Sequence, residues 1–209
     1  IGGFLGGCAL AIALEFATRG VSVAEDLESA LAIAHLSSIP VAAGAGGQAL
    51  DPMRTVRLVL AEPNGIFAES VRSMRREIDL RRRQGGPRVI MIASSLPGEG
   101  SDVIASNLAH HFALTGNRVL LIDGDLRRSP LTRRLTPNRP AGLADMLVRG
   151  QPVQNAILAD GATGLHFLPA SSPDPVPVSS PELLGSQRMA ATVAALKQQY
   201  DTIILEAPP

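Results

Sequence analysis

Residues 88–103 read Arg-Val-Ile-Met-Ile-Ala-Ser-Ser-Leu-Pro-Gly-Glu-Gly-Ser-Asp-Val, and this stretch decides the fold. Its first six residues form an apolar strand candidate, residues 94–100 form a glycine-containing loop, and a helix is predicted from about Ser101 to Thr115. Strand, glycine loop and helix in this order are typical of a phosphate-binding loop, in which backbone N–H groups face an anion. The predicted nucleotide-binding residues are Pro97, Gly98, Glu99, Gly100, Ser101, Asp102 and Val103.

Downstream of this loop, strand-like and helix-like segments alternate. Strands are predicted at residues 117–123, 165–169 and 202–205, and helices at residues 142–148 and 181–199. Such alternation implies parallel βαβ units, with ligands bound at the carboxyl ends of the strands. The predicted fold class is α/β, a parallel sheet like that of P-loop NTPases, flanked by helices.

The loop departs from the full phosphate-binding motif at two positions. After its last glycine, the motif requires a lysine for the β- and γ-phosphates and a hydroxyl for Mg²⁺. Here Ser101 and Asp102 occupy these positions, and the only lysine of the chain is Lys197. At an effective dielectric near 20, one pair of unit charges ~4 Å apart is worth ~4 kcal/mol. The sequence therefore predicts weakened phosphate binding.

Three alternatives remain open at this loop. Arg127 or Arg128 could compensate in part for the missing lysine, although a guanidinium fork differs from a point ammonium. A magnesium ion could bridge Asp102 to a phosphate group. Ser101 and Asp102 could also serve only to cap the helix, since both residue types favour a helix start without any ligand.

Composition excludes several classes of function. Nineteen basic and nineteen acidic residues give a net charge of zero, which removes the basic footprint that nucleic-acid binding needs. Aromatic residues make up 3% of the chain and tryptophan is absent, so stacking platforms for bases or sugars are not expected. The single cysteine, Cys8, excludes an internal disulfide, a cysteine-based zinc site and an iron–sulfur cluster.

The first 18 residues are mostly apolar and rich in glycine, with Glu15 as their one charged residue, and we interpret them as the C-terminal part of a transmembrane helix. A glycine-rich core helix is the alternative, because about 16 helical residues span only ~24 Å of a ~30 Å hydrocarbon layer. Residues 19–65 are assigned to a juxtamembrane segment and linker, with a flexible stretch at 42–52. Residues 66–209 form the predicted α/β domain, which we expect to be incomplete at its C-terminus.

Several segments in order resemble the bacterial tyrosine kinases of capsule and exopolysaccharide synthesis, the family that also contains the chain-length-determinant (Wzz- and Wzc-like) membrane proteins. The matching segments are residues 94–100 with 104–109, 119–128, 142–147, 181–184 and 200–209. Upstream, Glu69, Arg72 and Arg75 have the spacing of the helical motif with which family members form rings. The resemblance covers essentially the whole chain, apart from the replaced lysine and hydroxyl positions.

The resemblance implies roles for individual carboxylates, with ATP and Mg²⁺ as cofactors. Asp123 would act as the base toward a tyrosine hydroxyl, and Asp125 with Glu206 would manage the metal, where the family pattern has aspartate in place of Glu206. Asp123 and Asp125 are thus the expected catalytic residues, and Asp102, Asp123 and Glu206 the expected metal ligands. Helix capping after the strand is the alternative for the two aspartates, and an ordinary loop carboxylate is the alternative for Glu206.

The resemblance also implies partners and a cellular place. It implies a homo-oligomeric ring through Glu69, Arg72 and Arg75, although a solvated charged face explains the same residues equally well. It further implies contact with the polysaccharide polymerisation and export machinery at the bacterial inner membrane, with residues 19–209 cytoplasmic.

Three functions remain open: an active ATP-dependent tyrosine autokinase, a pseudokinase that assembles or gates polysaccharide export, and, less favoured, a partition-type ATPase. Ser101 and Asp102 favour the pseudokinase.

Overall fold

A five-stranded sheet with the strand order β1-β5-β2-β4-β3 forms the centre of the computed structural model. Its strands are β1 (Arg88–Ile92), β2 (Val119–Asp123), β3 (Leu158–Ala159), β4 (His166–Leu168) and β5 (Thr202–Glu206). β1, β5, β2 and β4 pair in parallel, and the two-residue β3 runs antiparallel to β4. The predicted parallel α/β sheet is therefore confirmed, whereas the sequence did not predict β3.

The structure describes residues 6–7, 28, 32–41, 51–81, 87–138, 141–170 and 180–209. Residues 1–37 and residues 38–209 form two separate compact units. The transmembrane helix predicted at residues 1–18 lies outside the described residues, apart from Gly6 and Gly7, which are helical. Among the residues that are described, no helix has both the length and the apolar character needed to cross a bilayer.

Helices cover both faces of the sheet. In the described part of residues 51–209 they are α1 (Pro52–Thr55), α2 (Leu58–Ala61), α3 (Ile66–Leu80), α4 (Ser101–Leu114), α5 (Pro130–Leu135), α6 (Leu143–Arg149), α7 (Ser180–Leu184) and α8 (Gln187–Leu196), with a 3₁₀ turn at Val153–Asn155. α4 begins at the predicted residue. The helix predicted at residues 181–199 is instead divided, because the Ser186 hydroxyl accepts a hydrogen bond from Met189 N at 3.1 Å and starts α8.

Two apolar layers hold the central strands in place. On one face, Leu121 and Ile204 pack with Leu108 and Phe112 of α4. The other face, with Leu120, Ile122 and Ile203, packs with α6 and α8. All five residues of β2 are buried, and full burial of an apolar side chain stabilises a fold by about 1.5–3 kcal/mol. The carboxyl ends of β2 and β5 are therefore held rigidly at one edge of the sheet.

The segment before α3 packs onto the fold through polar contacts from α4. The buried Asn107 amide accepts a hydrogen bond from Val59 N at 2.9 Å and donates one to Thr55 O at 2.9 Å. These contacts place Val56, Leu58 and Val59, which lie in the predicted linker, in the packed core. The division into domains at residue 66 stays a prediction, but the core itself extends upstream of it.

Candidate functional site

The loop between β1 and α4 has the backbone shape of a phosphate cradle. Gly98 and Gly100 have φ angles of 88° and 90°, a left-handed conformation that favours glycine. The Glu99 carboxylate accepts hydrogen bonds from Ser95 N at 2.9 Å and Leu96 N at 3.0 Å, and these bonds lower its pKa, with the bond from Leu96 contributing most. The loop is thus closed by its own carboxylate, and the first-turn amides of α4 remain to face a ligand.

The flanking members of the predicted nucleotide-binding set differ in exposure. Pro97 lies exposed in the loop, and it offers no N–H because its nitrogen is part of the ring. Val103 lies in the first turn of α4, and its side chain packs against the apolar core. Only the backbone of Val103 is therefore directed toward a ligand at the helix start.

Ser101 and Asp102, which replace the lysine and the hydroxyl residue of the motif, both contact side chains of other elements. The Ser101 hydroxyl donates a hydrogen bond to Glu206 Oε1 at 2.8 Å. Asp102 forms an ion pair with Arg134 of α5, and the Asp102 side chain is only 12% exposed. The N-cap of α4 is Gly100, so the hydrogen bonds of these two side chains connect α4 to β5 and α5 rather than capping the helix. Sequence reasoning missed Arg134, since no motif marks it.

Asp123 ends β2 in a fully buried position. Its Oδ2 accepts hydrogen bonds from Thr132 N at 2.8 Å and Thr132 Oγ1 at 2.6 Å, and its Oδ1 accepts one from Asp125 N at 3.2 Å. Burial raises the pKa of Asp123 to about 6 despite these bonds. Thr132 is a second residue that no sequence motif marks, and it orients the carboxylate that the resemblance names as the base.

Asp125 closes the turn that follows β2. Its Oδ1 accepts hydrogen bonds from Arg127 N at 3.2 Å and Arg128 N at 3.0 Å, and its Oδ2 accepts one from Arg128 Nε at 2.7 Å. Both oxygens therefore have local partners, but Asp125 does not cap α5, whose N-cap is Ser129. Its catalytic role stays a prediction, and the Arg128 guanidinium is engaged by Asp125 instead of facing the loop.

Glu206 ends β5 beside Asp123, with which it is in register across the two strands. Gly124 makes this approach close, since its N–H donates to Glu206 O at 2.8 Å and a Cβ there would lie 2.6 Å from that oxygen. Burial, together with the carboxylates of Asp123, Asp125 and Asp102, raises the pKa of Glu206 to about 8. Among the described residues, nothing hydrogen-bonds to its buried Oε2. The site is thus an acidic pocket in which Arg134 and Arg128 pair with Asp102 and Asp125, and not with Glu206.

The backbone of this site fits a phosphate group better than its side-chain charges do. The carboxylate oxygens are of the type that Mg²⁺ prefers, but those of Asp123 already accept hydrogen bonds and Asp102 is paired with a guanidinium. In the part of the chain that the structure describes, no three His, Cys, Asp or Glu side chains are grouped so as to hold a metal. The metal site of Asp102, Asp123 and Glu206 therefore stays a prediction.

The three residues expected to form a ring lie on α3. Glu69 and Arg72 form an ion pair with each other at 2.8 Å. The Arg75 guanidinium lies over the Phe112 ring, 4.9 Å from its centroid, and contacts Asp79 at 3.3 Å. Arg75 is therefore engaged by its own chain, while Glu69 remains exposed on the helix surface.

Comparisons with known proteins agree with this architecture, although no protein-family model matches the chain. The succinoglycan biosynthesis transport protein ExoP of Rhizobium meliloti (strain 1021) is 34% identical over 173 residues, which are 83% of this chain and 22% of ExoP. The tyrosine-protein kinase YwqD of Bacillus subtilis (strain 168) is 31% identical over 73% of this chain and 63% of YwqD. The chain therefore spans less than two thirds of either relative.

A solved structure extends the likeness to three dimensions. The kinase domain of the Escherichia coli tyrosine kinase ETK superposes with a TM-score of 0.77 at 25% identity, covering 91% of this chain and 74% of that domain. On these grounds the chain belongs to the bacterial tyrosine kinases of capsule and exopolysaccharide biosynthesis.

Proposed function

We propose that this chain is the cytoplasmic, tyrosine-kinase-like part of an inner-membrane protein that controls polysaccharide length or export and binds ATP only weakly. The observation that supports weak binding is that both residues at the replaced motif positions already have partners within the chain. Ser101 is bonded to Glu206 and Asp102 is paired with Arg134, so neither offers a free cation or hydroxyl to a triphosphate. The proposed role is to assemble or gate the polysaccharide polymerisation and export machinery rather than to transfer phosphate.

The position of the single lysine supports this proposal. Lys197 follows α8 and lines a groove with Pro87, Arg118 and Asp201, residues that precede β1, β2 and β5. That groove therefore lies at the amino ends of the strands, whereas the loop at residues 94–100 follows the carboxyl end of β1. A P-loop lysine contacts the β- and γ-phosphates directly. Lys197 instead lies near the amino ends of the strands, away from the loop.

An active ATP-dependent tyrosine autokinase is the second candidate, and one observation favours it. Burial brings the pKa of Asp123 to about 6, and a general base is most effective when its pKa lies near the working pH. ATP and Mg²⁺ would supply the transferable phosphoryl group and its charge neutralisation. The cradle at Gly98 and Gly100 and the carboxylate of Asp123 would hold and orient the reactants.

Restoring the motif tests the proposal. We expect the wild type to bind MgATP with a dissociation constant well above the micromolar range, and Ser101→Lys with Asp102→Ser to raise the affinity at least about tenfold, because each 1.4 kcal/mol of recovered attraction is worth a factor of ten. Equilibrium titration with a fluorescent ATP analogue measures both. A matched control, Gln154→Lys with Glu182→Ser, makes the same charge change at exposed positions outside the loop.

Two outcomes of this titration contradict the proposal. Micromolar, Mg²⁺-dependent binding by the wild type would favour the active kinase. An unchanged affinity in the restored variant would mean that residues 97–103 do not form a phosphate site.

The proposed ring is tested most cleanly at Arg72. Arg75 packs on Phe112, so its removal would alter the fold as well as any interface. We expect Arg72→Ala to elute later than the wild type from a sizing column, because its guanidinium would no longer bridge to a neighbouring subunit. Arg76→Ala is the control, since Arg76 also pairs with Glu69, at 3.2 Å, but lies outside the spaced motif. Identical elution of Arg72→Ala and the wild type would count against the ring.

A further inference from the structure

A cation stands next to the phosphate loop, on an element that the loop motif does not include. Arg134 lies in the last turn of α5, and its guanidinium contacts the Asp102 carboxylate in the first turn of α4. The side chain of Arg134 is 32% exposed, so it is neither locked into the core nor free in solvent. A guanidinium at this place is next to the first-turn amides that a phosphate group would meet.

The arginines expected from the sequence to compensate are placed differently. Arg128 is engaged by Asp125 through its Nε at 2.7 Å. Arg127 has an exposed side chain, and only its backbone N–H contacts Asp125. Arg134 is thus the arginine that the described structure brings into contact with the first turn of α4.

A second feature of the pocket is the buried carboxyl group of Glu206. The Glu206 carboxyl is 1% exposed, its Oε1 accepts the Ser101 hydroxyl, and its Oε2 is buried without a hydrogen-bond partner in the described structure. A protonated carboxyl group in this position has a hydroxyl that can donate a hydrogen bond to a phosphate oxygen. The cradle, the arginine and the unsatisfied oxygen lie around one helix start, so the pocket has the parts of an anion site whose charges are paired internally.

We propose that Arg134 is the phosphate-binding cation of this chain, in place of the missing lysine, and that Asp102 competes with the phosphate for it. The ligand class is a di- or triphosphate, free or as part of a nucleotide. This inference rests on the proposed weak nucleotide site and explains its weakness. The guanidinium is neutralised by Asp102, and a phosphate must displace that carboxylate before it gains the bidentate contact that arginine offers.

The net charge at the first turn of α4 distinguishes a site with a paired Asp102 from a site that has lost phosphate binding altogether. An unpaired Asp102 would repel phosphate, whereas an Asp102–Arg134 pair carries no net charge. Removing the carboxylate while keeping its shape should therefore leave a net positive charge at the first turn of α4. Removing the guanidinium should leave a net negative charge. The two changes are expected to shift phosphate affinity in opposite directions.

Titration calorimetry with inorganic pyrophosphate in the absence of divalent metal tests this directly. We expect Asp102→Asn to raise the affinity about tenfold or more over the wild type, and Arg134→Gln added to it to abolish the gain. Arg134→Lys in the same background should keep most of the gain, because it keeps the cation. Arg133→Gln is the matched control, since Arg133 is the exposed neighbour on the same helix. Thermal unfolding of each variant verifies that it is folded.

Each remaining outcome overturns the inference in a recognisable way. If Asp102→Asn gains nothing, or keeps its gain without Arg134, then Arg134 is not the cation. If the Arg134 inference fails but Ser101→Lys with Asp102→Ser binds pyrophosphate in the same assay, the loop is still a phosphate site. If this double variant does not bind pyrophosphate either, the phosphate site itself is misassigned. If Asp102→Asn weakens MgATP binding relative to the wild type, then Asp102 is a metal ligand and not a competitor.

Discussion

Gly124→Ala is expected to lower the free energy of unfolding by about 3 kcal/mol, the upper part of the range for overpacking a close contact. The added Cβ would lie 2.6 Å from Glu206 O and 3.0 Å from Leu205 Cδ1. The first of these atoms is backbone, and it accepts the hydrogen bond from Gly124 N at 2.8 Å, so it cannot rotate away as a side chain could. β2 and β5 would have to separate where Asp123 and Glu206 meet. Urea unfolding at neutral pH measures the change.

Gly161→Ala provides the matched control for this experiment. Gly161 is exposed, its backbone does not have a left-handed φ, and a Cβ there would meet nothing within 4 Å. The same substitution should therefore leave stability unchanged or raise it slightly, by restricting the unfolded chain. Equal stability of Gly124→Ala and the wild type would mean that the ends of β2 and β5 are not as close as described.

Residues 88–125 show how far sequence patterns reach. The apolar run, the two glycines and the helix-like segment after them predicted β1, the cradle and α4, because each of these signals is local. Two aspartates directly after a buried run predicted an acidic strand end. The parallel arrangement then followed from the alternation of elements, since carboxyl ends of parallel strands share one edge. The structure confirms this part of the fold, down to the helix start at Ser101.

The sequence could not predict side-chain contacts between residues that are far apart along the chain. Asp102 meets Arg134 after 32 residues, and Ser101 meets Glu206 after 105. No periodicity marks such pairs, because they depend on how α5 and β5 lie against α4. The same holds for Arg128, one of the two arginines that could compensate for the lysine: its own turn offers Asp125 as an acceptor at 2.7 Å. Local patterns therefore predicted which strand ends and which loop would meet, whereas the ion pairs between them depend on packing.

Glu206→Gln is expected to make the protein more stable than the wild type at pH 8, by an amount on the order of 3 kcal/mol. Burial, with the nearby carboxylates, raises the folded-state pKa of Glu206 from 4.5 to about 8. Between those pH values the folded protein holds a proton that the unfolded chain releases. The stabilising contribution is therefore complete below pH 4.5 and is lost as the pH rises through 8. Glutamine keeps the shape of the protonated form at every pH.

Other buried groups also titrate in this pH range and change the stability of both proteins. The difference in stability between variant and wild type is therefore more informative than the pH dependence of either protein alone. The pKa of Asp123 is raised to about 6 by burial, which removes stability between about pH 4 and 6. The pKa of His110 is lowered to about 4, chiefly by burial, which adds stability as the pH rises from 4 to 6.5. These two contributions oppose each other below pH 6.5. Above it, Glu206 is the group among the three that still changes its protonation.

Urea unfolding of both proteins at pH 5, 6.5 and 8, without nucleotide or metal, measures the effect. We expect the two curves to lie close together at pH 5 and to separate steadily toward pH 8, with the variant more stable. Glu182→Gln is the control, because its exposed side chain should change stability by less than about 0.5 kcal/mol. A constant difference across this pH range would mean that Glu206 is ionised in the folded protein, and that a cation from outside the described residues neutralises the acidic pocket.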